Sequence, residues 1–309
     1  MLKAKLCAIT AKNESPYATD ATPTAASNAM LATDVDVSPL ETETDKRSLV
    51  LPWYGHQGEF VGGQFARCRF STELAGGGAA GTAPKWGPLA KACAMSETTN
   101  AGVSVVYAPI SGSEVSASIY FYINGRLHKF LGSMGSAKIM LAAGKAPKIQ
   151  WDFLGLYAIP TDTAMITPTL TGWTKPVPVN NANTSTLTLH SYAIKTRSLE
   201  VDVGVSNVYR NLPNSEAVRM IDREAKFSAV FEDELVATKD WWTIIKAATL
   251  GALAVTHGTV AGNIVAIAAA SAQILRPKMS NENGIAMLGV DGGLVPSTAG
   301  NDEFSITVT

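Results

Sequence analysis

The sequence predicts a mainly β chain with one short α-helix in each half. Three observations carry that expectation. Apolar residues alternate with polar ones in several runs, 3.6-residue periodicity is confined to two short stretches, and a strand, a loop and a helix recur in the same order in both halves.

Residues 1 to about 45 come first. They are rich in Thr, Ala, Asp and Ser, are interrupted by Pro16, Pro23 and Pro39, and show little apolar periodicity. They are expected to form an extended N-terminal arm that cannot bury a core of its own. Over residues 63–74, Ala66, Cys68, Phe70, Thr72 and Leu74 fall on one face and Arg67, Arg69 and Glu73 on the other, the period of a half-buried strand. The glycines Gly76, Gly77, Gly78 and Gly81 lack the Gly-Lys-Ser/Thr ending of a phosphate cradle and read as a mobile loop. Leu89, Ala92 and Cys93 then share a helical side, with Pro88 suited to a first turn. Asn124 and Gly125 between two apolar runs signal a tight hairpin.

Further along, Ile149, Trp151 and Phe153 alternate with Lys148, Gln150 and Asp152, and Leu199, Val201 and Val203 alternate with Glu200 and Asp202. Trp241, Ile244, Ile245 and Ala248 follow i, i+3, i+4, i+7, and Asp240 stands where it can cap that helix. Residues 247–275 carry no Asp, Glu, Lys or Arg, a length that could span a bilayer. His257, Asn263, Gln273 and the interruptions at Gly251, Gly258 and Gly262 favour a buried helix end, a turn and a strand, with no membrane insertion. Phe304, Ile306 and Val308 close the chain's pattern as a strand.

The repeat is specific in its order. Phe70, Glu73 and Leu74 recur as Phe231, Glu234 and Leu235, and Trp86, Leu89, Lys91 and Ala92 recur as Trp241, Ile244, Lys246 and Ala247. The glycine-rich insert accounts for the longer spacing in the first copy. A tandem duplication follows, and 309 residues leave room for two domains of roughly 150 residues each.

Composition excludes several function classes. An apolar fraction of 46 % builds a sizeable core, while a charged fraction of 17 % is low enough to suggest surface buried in a partner or lined by small polar groups. A net charge of −1 gives none of the basic excess of a protein that grips phosphates. Cys7, Cys68 and Cys93 imply no disulfide framework, and Lys12 ends the N-terminal apolar run too early for a signal peptide, so intracellular synthesis is expected. His56, His128, His190 and His257 are isolated, without metal-ligand spacing. There is no nucleophile elbow and no zinc-protease helix. Neither an enzyme nor a cofactor is expected.

Stretches spread over nearly the whole chain resemble the major tail tube protein of tailed bacteriophages, in the longer form with two tube domains. They are Lys12, Asn13, Glu14, Tyr17, Asp20, Pro23, Thr24, Asn28 and Ala29; the block from Phe70, Glu73 and Leu74 through the glycines to Trp86, Gly87, Pro88 and Leu89; Val106, Tyr107 and Pro109; Asn124, Gly125, Leu127, His128 and Lys129; and Gly284 to Met287 with Gly300 to Glu303. Their order carries the resemblance.

The resemblance implies two tandem β-sandwich or barrel-like tail-tube domains, each with a flanking helix, at 46–165 and 166–309 after an arm over 1–45. It implies homo-oligomeric rings, a trimer with pseudo-six-fold symmetry before a hexamer, stacked into the tube through which DNA leaves the capsid. The partners are then tail initiator, tape-measure and terminator proteins, with genomic DNA passing transiently. The place is the virion tail, assembled in the host cytoplasm. Glu200, Asp202, Glu232 and Glu234 become candidates to line the lumen, where carboxylates repel phosphates, with a solvated outer face as the alternative placement. Tyr17, Asp20, Gly77, Gly78 and Thr82 become candidates for inter-ring contacts. Leu89, Cys93, Trp241, Ile244 and Ile245 are expected in the core. The competing reading is another non-enzymatic virion or surface β protein, such as a capsid decoration protein or an adhesin.

Overall fold

The computed structural model describes residue 3 and residues 5–309. The chain is mainly β, with antiparallel strands and two short helices. The first half contains β1 (Cys7–Asn13), β2 (Ala29–Met30), β3 (Ala32–Lys46), β4 (Glu59–Glu73), α1 (Gly87–Lys91), β5 (Met95–Asn100), β6 (Ser104–Pro109), β7 (Ala117–Ile123), β8 (Arg126–Ala142), β9 (Lys148–Tyr157) and β10 (Thr161–Asp162). The second half contains β11 (Thr184–Leu189), β12 (Tyr192–Ala193), β13 (Thr196–Asp202), β14 (Val205–Leu212), β15 (Ser215–Arg223), β16 (Lys226–Glu232), α2 (Trp241–Lys246), β17 (Leu250–His257), β18 (Val265–Glu282), β19 (Ile285–Leu294) and β20 (Ser305–Val308).

The alternation read from sequence is the alternation of burial. Ala66, Cys68, Phe70 and Thr72 of β4 are buried while Arg67 and Arg69 are exposed, and Leu199 and Val201 of β13 are buried between half-buried Glu200 and Asp202. Asn124 and Gly125 both take positive φ and join β7 to β8 with Ile123 opposite Arg126, the two-residue turn whose twist matches its strands. Asp240 caps α2, its carboxylate accepting from the Thr243 N–H at 2.9 Å.

Three expectations change. Residues 7–46 are not a free arm. β1 lies between β2 and β7, β3 pairs with β4, and Ile9, Ala11, Ala29 and Met30 enter the main core. Helix α1 ends at Lys91, so Cys93 follows the helix, although it is fully buried. Residues 247–275 hold β17, a turn and the first part of β18, one strand more than expected. Among the described residues no helix is long and apolar enough to cross a membrane.

The order of pairing recurs. In the first half β3 pairs with β4, β4 with β9, β9 with β8, β8 with β7 and β7 with β1. In the second, β13 pairs with β16, β16 with β19, β19 with β18, β18 with β17 and β17 with β11. Phe70 lies opposite Trp151, and its sequence counterpart Phe231 lies opposite Leu288.

The long strands β8 and β18 each contain a register shift, between Leu131 and Met134 and between Leu275 and Lys278, where a bulge bends the strand. Along one edge β8 faces first β7 and then β13, at residues 138–142. Strand β20 lies between β18 and β6 and so ties the two halves together a second time.

Inward side chains from both halves form one core. Trp86, Trp151 and Trp241 are among its largest buried members, and rings of that size supply much of the apolar area a core removes from water. Trp86 packs 4.9 Å from Tyr107, and Trp241 packs 5.2 Å from Phe231, ring centre to ring centre. The Glu14 carboxylate is also buried. It accepts hydrogen bonds from the Ser116 and Ser118 hydroxyls at 2.6 and 2.7 Å and from the N–H groups of Ala18 and Gly132, each at 2.9 Å, which offsets the cost of taking its charge out of water.

Candidate assembly edges and the charged sheet face

One continuous sheet runs β3–β4–β9–β8–β13–β16–β19–β18. Among the described residues, β3 has no partner on its outer side, and the outer side of β18 is unpaired beyond Gln273. Each is therefore an edge carrying unpaired backbone groups. Pro39 and Pro277 stand on these two edges, where the missing N–H removes a donor from the rim.

The centre of the sheet shows how such edges join. The β8–β13 seam is antiparallel over Lys138–Ala142 and Ser198–Asp202. It is extended at one end by the Ala143 N–H donating to the Arg197 carbonyl and at the other by the Val203 N–H donating to the Ala137 carbonyl, both at 2.9 Å. By order of pairing, β8 corresponds to β18 and β13 to β3. The seam therefore joins the counterparts of the two free edges.

The outward face of this sheet is charged and paired. Lys138 Nζ lies 3.6 Å from Glu200 and 3.8 Å from Asp202. Lys195 lies 3.3 Å from Glu232 and 2.9 Å from Glu234, and these hydrogen bonds, the one to Glu234 first, raise its pKa. Arg69 binds Asp152, Lys148 binds Asp34 at 2.8 Å, and Arg197 binds Glu282 at 2.7 Å. All of these pairs are solvent-accessible, so water and salt screen them and each adds little to stability. The four carboxylates singled out from sequence are thus gathered in twos around two lysines. The lysines were missed because neither neighbours its carboxylates in sequence.

The other candidates sit as follows. The Tyr17 hydroxyl donates to the Val218 carbonyl at 3.1 Å and accepts from the Val218 N–H at 2.7 Å, and burial raises its pKa. Asp20 accepts from the Tyr120 hydroxyl at 2.5 Å and from Lys129 at 2.9 Å. Burial pushes the Asp20 pKa up, but these bonds outweigh it and the net shift is downward. Burial first, then the bond to Asp20, pushes the Tyr120 phenol up to about 12.

The glycine-rich segment is anchored and is not the mobile loop expected. The Gly76 N–H donates to the Asn263 side chain and the Gly78 N–H to the Gly262 carbonyl, both at 2.9 Å. A Cβ on Gly77 would meet the Thr82 carbonyl oxygen at 2.2 Å, while Gly78 and Thr82 stay exposed at the surface. Leu89, Cys93 and Trp241 are fully buried, and Ile244 and Ile245 are half-buried against the same core.

Two histidines are buried in hydrogen bonds. His190 Nε2 lies 2.9 Å from the Ala272 carbonyl, and His257 lies 3.0 Å from both the Thr184 hydroxyl and the Val177 carbonyl. Among the described residues no three His, Cys, Asp or Glu side chains are grouped to hold a metal ion. No protein-family model matches the chain, and no curated protein matches it.

Proposed function

We propose that the chain is a structural virion protein whose copies close into rings and stack into a phage tail tube, the conduit for DNA ejection, with two tandem tube domains per subunit. The observation that carries this reading is the eight-stranded sheet with two free edges and, at its centre, a seam between the counterparts of those edges. Repeating that seam between chains pairs β18 of one copy with β3 of the next. The repetition continues until the sheet closes and no edge remains. Three two-domain chains would give a ring with pseudo-six-fold symmetry.

Where no hairpin lies across it, the ion-paired outer face suits a channel wall. Naked lysines would exchange counterions for phosphate and hold the duplex, whereas lysines already bound to Glu200, Asp202, Glu232 and Glu234 offer it little. The resembled family supplies the tail initiator, tape-measure and terminator proteins as partners.

A proline on the free edge tests this. Glu282 and Ile285 close a two-residue turn at Asn283 and Gly284. The Glu282 N–H therefore points to β19, and by alternation the Met279 N–H points outward. Met279→Pro removes an outward donor and leaves the β18–β19 ladder intact. Rings and tubes seen by electron microscopy for the parent chain should be lost, with an unchanged melting midpoint for the monomer. A parent chain that stays monomeric with tail initiator present, or a variant that still forms tubes, would sink the proposal.

A further inference from the structure

The two halves treat equivalent hairpins differently. Glu41 pairs with Phe65 on β3 and β4 at the position where Asp202 pairs with Lys226 on β13 and β16, the last pair of that second ladder. The segments enclosed, residues 42–64 and 203–225, are equal in length. The second leaves the sheet. Gly204, at φ +68, turns the chain, and a Cβ there would meet the Glu224 carbonyl oxygen at 1.9 Å. Strands β14 and β15 then form a separate two-stranded sheet lying across the outward face of β4, β9 and β8.

Its contacts are specific. The Tyr209 ring packs 5.1 Å from that of Phe65, its hydroxyl accepts from the Gln64 N–H at 3.1 Å, and Val218 and Tyr209 bury Met134 and Leu154. The first-half hairpin continues the β3–β4 ladder, and its end touches no such surface. Val50 and Tyr54 are fully exposed, and Trp53, Phe60 and Val61 are each more than half exposed. That is an apolar cluster of the kind that marks an interaction site.

We infer that the hairpin of residues 42–64 seats on the outward face of β16, β19 and β18 of a second copy of this chain. The occupant follows from the molecule itself, because the same contact exists within one chain between the second-half hairpin and the first-half sheet. Counting from the shared ladder pairs, Ser48 takes the place of Tyr209, Lys226 that of Phe65, and Asp291 that of Leu154. The receiving face has an open groove of about 280 Å³ whose charged lining is mixed in sign, with Lys138, Lys226 and Arg276 beside Glu200, Asp202 and Asp291.

This inference rests on the ring reading above, since β18 can receive a neighbour's hairpin only where it also receives that neighbour's β3. The β14–β15 hairpin is the template for the angle at which the incoming hairpin leans.

Cysteine crosslinking tests it. Cys7 is exposed and is replaced by Ser, while Cys68 and Cys93 are buried and remain. Copies carrying Ser48→Cys are mixed with copies carrying Lys226→Cys, assembled and mildly oxidised. Covalent dimers should form in the assembled fraction only, and not when Gln150→Cys replaces Lys226→Cys. Independently, Trp53→Ser with Tyr54→Ser should leave the monomer's circular dichroism and melting unchanged and raise the concentration needed for assembly at least tenfold. Assembly without the 48–226 crosslink, or equal crosslinking to position 150, overturns the hairpin contact and leaves the ring reading standing. Failure of the parent chain to assemble overturns both.

Discussion

The two halves follow one order of strands yet finish their surfaces differently. The second half spends its long hairpin inside the molecule, with Tyr209 and Val218 laid on the first half and Tyr17 bonded to Val218. The first half leaves its hairpin in solvent with Trp53 and Tyr54 exposed. Their equivalent tryptophans differ as well. The Trp86 N–H donates to the Ala75 carbonyl at 2.9 Å, whereas the buried Trp241 N–H has no hydrogen-bond partner among the described residues. A shared topology therefore fixes where a residue lies, and local neighbours decide what it does there.

The largest expected effect is at the base of the docked hairpin. Arg223 and Glu303 form a buried ion pair at 2.5 Å, and Arg223 also donates to the Ile110 carbonyl at 2.6 Å. The corresponding first-half position is Gly62, which can make no such pair. Arg223→Met strands a buried carboxylate and should cost about 3–5 kcal/mol in chemical denaturation. Restoring neutrality with Glu303→Gln in the same chain should recover part of that loss. Trp241→Ala should cost a comparable 3–5 kcal/mol or so, as a large fully buried ring is removed from α2.

A milder pair of variants sharpens the contrast between the tryptophans. Trp86→Phe loses a satisfied hydrogen bond and orphans the Ala75 carbonyl, whereas Trp241→Phe removes a donor that was already orphaned. Trp86→Phe should be the more destabilising by about 1–2 kcal/mol. Equal losses would mean that Trp241 finds a partner in solution.

The smallest effect is a pH dependence shared by three histidines whose pKa values burial lowers, His128 in the first half and His190 and His257 in the second. Burial holds the pKa values of His190 and His257 below the ordinary histidine range, against the opposing bonds to the Ala272 and Val177 carbonyls. As pH falls below about 6.5 the unfolded chain takes up protons first. Stability that is fully present above that pH then declines until the lower folded-state values are passed. Melting midpoints should fall between pH 7 and pH 5, and His190→Gln with His257→Gln should flatten the profile. The lowered Asp20, Asp34, Asp240 and Asp302 act further down, where their loss of charge removes stability below the usual carboxylate range.

What could be read from the sequence follows physical lines. Strands with one wet face announce themselves, as Phe70, Trp151 and Val201 do, and so do local devices such as the Asn124–Gly125 turn and the Asp240 cap. Strand β3 was hidden because an edge strand with one neighbour needs few apolar residues, so Thr42, Glu43, Thr44 and Asp45 read as an arm. The β14–β15 hairpin was missed because its burial comes from a surface formed by residues such as Phe65, Met134 and Leu154, more than fifty positions away in sequence. The carboxylates of the sheet face were visible as alternation, but Lys138 and Lys195 reach them only through strand pairing.

The position of β20 has a consequence for synthesis. Strand β6 is complete at Pro109, yet the neighbour along its second edge is Ile306, Thr307 and Val308. At ribosomal rates of roughly 5–20 residues per second, that edge waits on the order of ten seconds or more. Vectorial folding of the first half alone thus leaves Val105 and Tyr107 beside an unfilled slot. The native arrangement is reached only when β20 has emerged and pairs with both β6 and β18.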